Sequence, residues 1–162
     1  MYGAPPELRA RVFARVPDAK LLEGPSFDRS GNLWVTDIPN GRIARISPRG
    51  EVTIVAQYDG EPNGLKIHKD GRIFLADHKQ GLLLLDSTSG KVSVVLDRPY
   101  RERFKGLNDL VFARNGDLTS LAKHSYFCDK MEERSTHTVT TAKLLLPQLT
   151  TINSQLSLLP AS

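Results

Sequence analysis

The sequence predicts an all-β fold, a partial β-propeller, from an internal repeat, the strand character of the repeated unit and the length of that unit. Residues 23–55 align without a gap onto residues 63–95 at an offset of 40 residues. Four glycines and one aspartate are identical between the two copies, which indicates a duplicated structural unit. These glycine and aspartate pairs are Gly24 with Gly64, Gly31 with Gly71, Gly41 with Gly81, Gly50 with Gly90 and Asp37 with Asp77.

Each copy is predicted to form four short strands separated by turns. In the first copy the strand-like runs are "PSFD", "NLWVTD", "GRIARIS" and "EVTIVA"; in the second they are "LKIH", "RIFLAD", "GLLLLDS" and "KVSVVL". These runs are rich in β-branched and aromatic residues, and the turn residues Gly, Asn, Asp and Pro lie between them. Four-stranded units of about 40 residues are typical of propeller blades.

A third copy begins at Asn108 with "NDLVFARNGDL" and loses the pattern after Leu118. Its offset from the second copy is 45 residues, because "DRPYRERFKGL" lengthens the connection. All 12 glycines lie at or before Gly116. We therefore divide the chain into an N-terminal segment (1–18), a partial propeller of about two and a quarter blades (19–118) and a non-repeat tail (119–162). The tail is predicted to be disordered, or aberrant through a frameshift, a retained intron or altered splicing.

Composition excludes several classes of function. The net charge is +4, and the basic cluster at residues 98–105 favours a solvated loop over a nucleic-acid patch. No run approaches the ~20 apolar residues of a membrane span, and no secretory signal is visible. Cys128 is the single cysteine, so an intramolecular disulfide is excluded. A cytoplasmic protein that binds neither nucleic acid nor membrane is predicted.

Three oxygen-bearing side chains occupy one equivalent position, just before the innermost strand of each copy: Glu23, Asn63 and Asn108. In a propeller these positions converge at one mouth of the central channel. Two interpretations are open. The side chains bind a hard cation such as Ca²⁺, which prefers oxygen ligands, or they hydrogen-bond turn backbone, as Asn often does.

The other polar and aromatic positions favour structural roles. Asp37 and Asp77 are predicted to cap the turns before Gly41 and Gly81, Trp34 and Phe74 to pack in the core, and His68 and His78 to be isolated surface side chains. Ser26 and Cys128 have no His/Asp arrangement that would support nucleophilic catalysis.

Three segments carry a family resemblance: "LLEGPSFDRSGNLWVTDIPNGRIARI", "EPNGLKIHKDGRIFLAD" and "FKGLNDLVFARNGDL". Together they resemble the family of gluconolactonases, the senescence marker protein (regucalcin) and luciferin-regenerating-enzyme-like proteins, over residues 19–118. The resemblance implies a six-bladed propeller with a divalent cation, usually calcium, in its channel. It also implies hydrolysis of small-molecule lactones, with some relatives acting on organophosphate esters.

Carried over by motif, the resemblance implies that Glu23 and Asn108 bind the metal and that Asn63, Asn108 and Asp109 contact the substrate. It places the remaining ligand and the catalytic base on later blades, so no catalytic residue is assigned here. The sequence thus predicts a truncated calcium-dependent lactonase that is inactive in this form. The alternative is a non-catalytic propeller fragment that binds a partner, or self-associates through its open blade edges.

Overall fold

The computed structural model describes residues 10–98, 103–104 and 106–122, which form three antiparallel sheets. The first sheet contains β1 (Leu22–Phe27), β2 (Leu33–Asp37), β3 (Arg42–Ile46) and β4 (Val52–Gln57). The second contains β5 (Pro62–Ile67), β6 (Ile73–Asp77), β7 (Gly81–Leu85) and β8 (Val92–Leu96), and the third contains β9 (Leu107–Phe112) and β10 (Leu118–Ala122). A 3₁₀ turn at Ile38–Asn40 is the only helical segment in these ranges.

The three sheets are successive blades of a partial β-propeller, as predicted. Strands in each sheet pair in sequence order, so each sheet is a simple meander. The first strands of the sheets, β1, β5 and β9, contact one another in that order, whereas β4 and β8 lie at the far edges. This convergence at one edge is the wedge arrangement of propeller blades.

Apolar side chains fill both gaps between the sheets. Trp34, Ile43, Leu65, Leu75 and Leu83 lie among the buried residues between the first and second blades. Phe74, Leu82, Leu107, Leu110 and Leu118 lie among those between the second and third. The predicted packing roles of Trp34 and Phe74 are therefore confirmed, and the middle blade is covered on both faces.

The described part of the N-terminal segment runs along the first blade. Ala14 and Val16 pack against the buried face of Val35, Ala44 and Ile46. The Arg42 guanidinium donates a hydrogen bond to the Pro17 carbonyl at 2.9 Å. This segment covers the face of the first blade that does not contact the second.

The third blade extends beyond the predicted end of the repeat at Leu118. Strand β10 runs to Ala122 and pairs with β9 through Thr119, Ser120 and Leu121. The run "LTSLA" still alternates, with Leu118 and Ser120 buried on either side of the half-exposed Thr119, which suits a half-covered strand. After Leu118 the sequence lacks the aromatic residue and the aspartate of the first two copies, but the strand continues for four more residues. Residues 123–162, including Cys128, and most of the 98–105 cluster lie outside the described residues.

The two matched aspartates hold their turns by different means. Asp77 Oδ1 accepts hydrogen bonds from the backbone N–H groups of Lys79 (2.8 Å) and Gln80 (2.7 Å), so its predicted capping role is confirmed. The same prediction was wrong for Asp37, which makes no cap hydrogen bond to its turn and instead accepts from Asn40 Nδ2 and Arg42 Nη2, both at 2.7 Å. The reason lies at the position equivalent to Lys79, which is Pro39 and has no N–H to donate.

The prediction for His68 was wrong, whereas His78 is exposed as expected. His68 is buried, its Nδ1 lies 2.8 Å from Asp70 Oδ1, and its ring contacts Phe112 at a centroid distance of 4.9 Å. Position 68 follows the strand that faces the third blade, so the imidazole enters that blade gap instead of solvent. Burial opposes ionisation of Asp70, but hydrogen bonds from Arg72 and His68 hold the pKa of that carboxyl well below its usual range.

Candidate functional site

Each innermost strand carries a β-bulge at or beside its candidate site residue. In the second blade Pro62 pairs with Asp77 and Gly64 with Ala76, which leaves Asn63 as the extra residue. In the third, Leu107 pairs with Ala122 and Asp109 with Leu121, which leaves Asn108. In the first, the pairing shifts between Glu23 and Ser26. Bulges re-aim side chains away from the regular pleat. Asn63 and Asn108 share this backbone feature, whereas Glu23 pairs with Thr36 and lies beside the irregularity of its strand.

Glycines let the bulged segments of neighbouring blades approach closely. A Cβ atom at Gly24 would lie 2.8 Å from the Asn63 carbonyl oxygen, and one at Gly64 would lie 2.9 Å from the Asn108 carbonyl oxygen. Both distances are shorter than side-chain contacts allow, so only glycine fits at either position. The backbones that carry Glu23, Asn63 and Asn108 therefore lie side by side.

Two hydrogen bonds between blades fix this arrangement. Thr36 Oγ1 donates to the Asn63 carbonyl at 2.7 Å, and Ser26 Oγ donates to the Leu65 carbonyl at 2.8 Å. Both donors come from the first blade and both acceptors lie on β5. Ser26 has a structural role here, because its hydroxyl donates to a backbone carbonyl of the neighbouring blade.

The three candidate side chains have no hydrogen bond to any described residue. Glu23 and Asn108 are exposed and Asn63 is half-buried. The expectation that these groups bond turn backbone therefore finds no support in residues 10–98, 103–104 and 106–122. One carboxylate and two amide oxygens are the hard donors that Ca²⁺ selects, so the chemistry of the donor set fits such a cation.

Asp109 differs from the other three because its carboxylate is engaged. Asp109 Oδ1 accepts the Leu110 N–H at 2.7 Å and lies 3.5 Å from Lys66 Nζ. The same oxygen is 2.8 Å from the point where a Cβ at Gly64 would stand, so the carboxylate turns towards β5. Lys66 was not singled out in the sequence. The sequence does contain a signal for it, because Lys66 is charged whereas the matching residues of the other two copies, Ser26 and Val111, are not.

Buried acids next to the mouth serve the scaffold. Tyr58 donates its hydroxyl proton to Asp77 Oδ2 at 2.8 Å, and burial together with the Asp77 charge raises the pKa of Tyr58 far above its usual range. Burial opposes ionisation of Asp37, but Arg42, Asn40 and the backbone N–H groups of Lys20 and Leu21 lower the pKa of that carboxyl. Both acids are engaged in hydrogen bonds that hold the turns and strands of their own blade and the segment before β1.

The described residues contain no group of three or more His, Cys, Asp or Glu side chains that would bind a metal by themselves. The candidate centre depends instead on amides, which are Asn63 and Asn108 beside a single carboxylate, Glu23. Within the same ranges, no helix is long and apolar enough to cross a membrane.

Antiparallel sheets that pair in sequence order, with their first strands in contact with one another, define the chain as part of a β-propeller. Residues 21–155 match the model of the family described as the SMP-30/Gluconolactonase/LRE-like region. The chain belongs to this family.

Two curated proteins and one solved structure illustrate the similarity. The chain is 31% identical over 114 residues to a gluconolactonase of Zymomonas mobilis, covering 61% of this chain and 32% of that protein. It is 29% identical over 125 residues to the diisopropyl-fluorophosphatase of Loligo vulgaris, covering 68% and 39%. The structure of a gluconolactonase from Xanthomonas campestris superimposes with a TM-score of 0.61 at 21% identity, covering 65% and 36%.

These matches cover only part of the relatives. The chain spans about a third of the length of these two curated relatives. The structural similarity at 21% identity supports the propeller fold and no more.

Proposed function

We propose that the chain carries part of the divalent-cation site of a lactonase-type hydrolase, with Glu23 and Asn108 as cation ligands. The observation that carries this proposal is the equivalent placement of oxygen donors on three adjacent innermost strands, free of hydrogen bonds to described residues. Calcium is the cation that the family resemblance favours. Family membership and the lactonase names of relatives support an ester substrate.

The side chains divide into two roles. Glu23 and Asn108 would hold the cation, and the amides of Asn63 and Asn108, with Asp109, would orient a small lactone at the mouth. A bound divalent cation supplies Lewis-acid polarisation of the ester carbonyl. Asp109 is turned towards Lys66, so it is poorly placed to activate water as a general base.

We further propose that these 162 residues, as a chain on their own, bind the cation weakly and do not turn over lactones. Ca²⁺ takes six to eight oxygen ligands, whereas Glu23 and Asn108 supply two side chains. No described carboxylate near them is free to act as the base. Binding and catalysis are therefore separable in this chain.

Cation binding tests the first part of the proposal. Calcium titration by calorimetry, and terbium luminescence as a second probe, should detect one site in the full 162-residue chain. Glu23→Gln should weaken binding at least about tenfold, since even outer-shell partners of metal sites contribute about 10- to 100-fold. Glu51→Gln, in the turn after β3, is the matched control and should bind like the wild type. Absence of binding by the wild type would refute the proposal.

Lactone turnover tests the second part. A pH-stat assay with gluconolactone, run with calcium and again with chelator, should give the uncatalysed rate in both cases. Calcium-dependent hydrolysis that Glu23→Gln abolishes would show that the base is present in the chain and would overturn the inactivity proposal.

The alternative, a non-catalytic fragment that binds a partner or self-associates, rests on exposed apolar strand residues. Val94 on β8 is 55% exposed and Val111 on β9 is 57% exposed. Size-exclusion chromatography with light scattering distinguishes the two. A discrete oligomer that Val111→Asp dissociates would favour self-association, whereas a monomer that binds calcium favours the cation site.

A further inference from the structure

We propose that Lys66 is a positioning residue that keeps the Asp109 carboxylate out of the candidate cation site, so that Glu23 alone sets the negative charge there. This inference rests on the proposed function, because it assumes that a divalent cation binds among Glu23, Asn63 and Asn108. It assigns Lys66 a role that neither the repeat nor the family resemblance suggests.

The geometry shows which way the Asp109 carboxylate faces. Lys66 Nζ lies 3.5 Å from Asp109 Oδ1, and the Leu110 N–H donates to the same oxygen at 2.7 Å. Lys66 and Gly64 are two residues apart on β5, so their side-chain positions lie on the same face of the strand. The missing side chain at Gly64 leaves the space into which the carboxylate turns, and the Lys66 ammonium holds it there.

Folding stability does not explain this ion pair. The Lys66 side chain is 30% exposed and that of Asp109 is 51% exposed. Ion pairs this accessible contribute little to folding, because solvent screens the attraction and two side chains lose freedom. The matching positions in the other blades, Ser26 and Val111, carry no charge. Contact between blades therefore does not require a lysine at this position. We attribute the lysine to the candidate cation site beside it.

Releasing Asp109 would change the site in two ways. Asp109 directly follows Asn108, so a freed carboxylate would add a full negative charge beside the cation ligands. It would also offer one more oxygen donor to a cation that accepts six to eight. Both effects strengthen cation binding, because ligand charge and ligand number set calcium affinity. Lys66 consequently keeps the site weaker and leaves room for a carbonyl ligand.

Terbium binding to the full 162-residue chain tests this role with two independent readouts. Lys66→Met should tighten binding about fivefold, as expected when the negative charge of Asp109 is no longer neutralised beside a partly screened site. The luminescence lifetime in H₂O and D₂O counts the water molecules on the ion, and Lys66→Met should lower that count by about one as Asp109 replaces water. Lys66→Arg keeps the positive charge and should match the wild type in both readouts.

The water count of Lys66→Met separates release of Asp109 from a long-range charge effect, and the control is the double variant Lys66→Met/Asp109→Asn, which lacks both charges. The double variant should restore both the affinity and the water count of the wild type. Tighter binding by Lys66→Met with an unchanged water count would overturn the inference. Loss of the positive charge at position 66 would then explain the tighter binding without any movement of Asp109. Unchanged or weaker binding by Lys66→Met would also overturn it while leaving the cation site intact. Failure of the wild type to bind would remove the proposed function itself, and this inference with it.

Discussion

Asp37 is a buried carboxylate whose neighbours all stabilise its charge. Its side chain is 1% exposed and lies 2.7 Å from Arg42 Nη2. We expect Asp37→Asn to lower the free energy of unfolding at neutral pH by about 3 kcal/mol, because it removes one partner of a buried ion pair. The measurement is urea unfolding followed by the fluorescence of Trp34. Asp59→Asn is the control, because its carboxylate is 98% exposed, and it should change stability by less than about 0.5 kcal/mol.

The same residue predicts how stability depends on pH. The pKa of Asp37 in the folded chain is lowered from 3.8, so its contribution is complete above that value. As the pH falls through 3.8 towards the folded-state pKa, the unfolded chain takes up the proton first and this contribution is lost. Unfolding midpoints measured between neutral pH and the acid range should therefore fall less steeply for Asp37→Asn. An identical acid slope for both proteins would contradict the assigned pKa shift.

For single residues, the sequence predicted whether a side chain has a structural role better than it predicted which groups that side chain contacts. Repetition marked Asp37 and Asp77 as structural, and both are. It could not show that Pro39 denies Asp37 the backbone bonds that Asp77 makes, because that depends on which N–H groups face the carboxylate. His68 was misjudged for a related reason. Its sequence neighbours are those of a turn, and its burial comes from Phe112, 44 residues later along the chain.

Close contact between β5 and β9 depends on Gly64. A Cβ there would stand 2.8 Å from the Asp109 Cα atom, which belongs to backbone and cannot move aside cheaply. We expect Gly64→Ala to lower the free energy of unfolding by about 3 kcal/mol, the upper range for overpacking. It should also weaken calcium binding, since it pushes Asn108 away from Asn63. Calorimetric titration and urea unfolding on one preparation measure both effects.

Gly71→Ala provides the matched comparison within the same blade. No atom lies within 4 Å of a Cβ at Gly71, but its φ of 95° is unfavourable for alanine. This variant should cost about 1 kcal/mol through backbone strain alone and should leave calcium binding unchanged. If Gly64→Ala behaved like Gly71→Ala in both measurements, the close approach of β5 and β9 would not matter for the site.

The duplicated pattern predicted all four strands of each complete blade, because turn glycines and β-branched runs are local signals. It missed the persistence of β10 to Ala122, since pairing with β9 holds that strand after the turn signature has gone. The bulges at Asn63 and Asn108 could not be predicted from the sequence either. A bulge is defined by the register against the partner strand, and a single strand's sequence does not contain it.

On the scale of the whole molecule, the middle blade links the other two. Its two faces pack against different apolar clusters, one around Leu65 and one around Leu110. Convergence of three equivalent positions could be predicted from the repeat once a propeller was assumed. The engagement of Asp109 by Lys66 could not, because it joins two blades through side chains whose reach depends on the packed distance.

Coupling through the middle blade gives a prediction about cooperativity. Leu110 in the third blade is buried, and Leu110→Ala should destabilise the chain by about 3 kcal/mol through loss of packing and the cavity left behind. Trp34, the single tryptophan, lies in the first blade and belongs to the other apolar cluster. If the blades unfold as one unit, the Trp34 fluorescence transition and the far-ultraviolet circular dichroism transition should shift together to lower urea.

Weak coupling between the blades would give a different result in the same measurement. Should each blade depend on its neighbour only weakly, as in linear repeat arrays, Leu110→Ala would shift the dichroism transition and leave the Trp34 transition in place. Leu65→Ala serves as the positive control, because Leu65 packs in the Trp34 cluster and must shift the fluorescence transition in either case. A coincident shift for Leu110→Ala therefore means that the first blade senses the third through β5 and β6. The proposed cation site requires that rigidity, because its ligands Glu23 and Asn108 lie on the first and third blades and keep a fixed distance only if the middle blade does not deform.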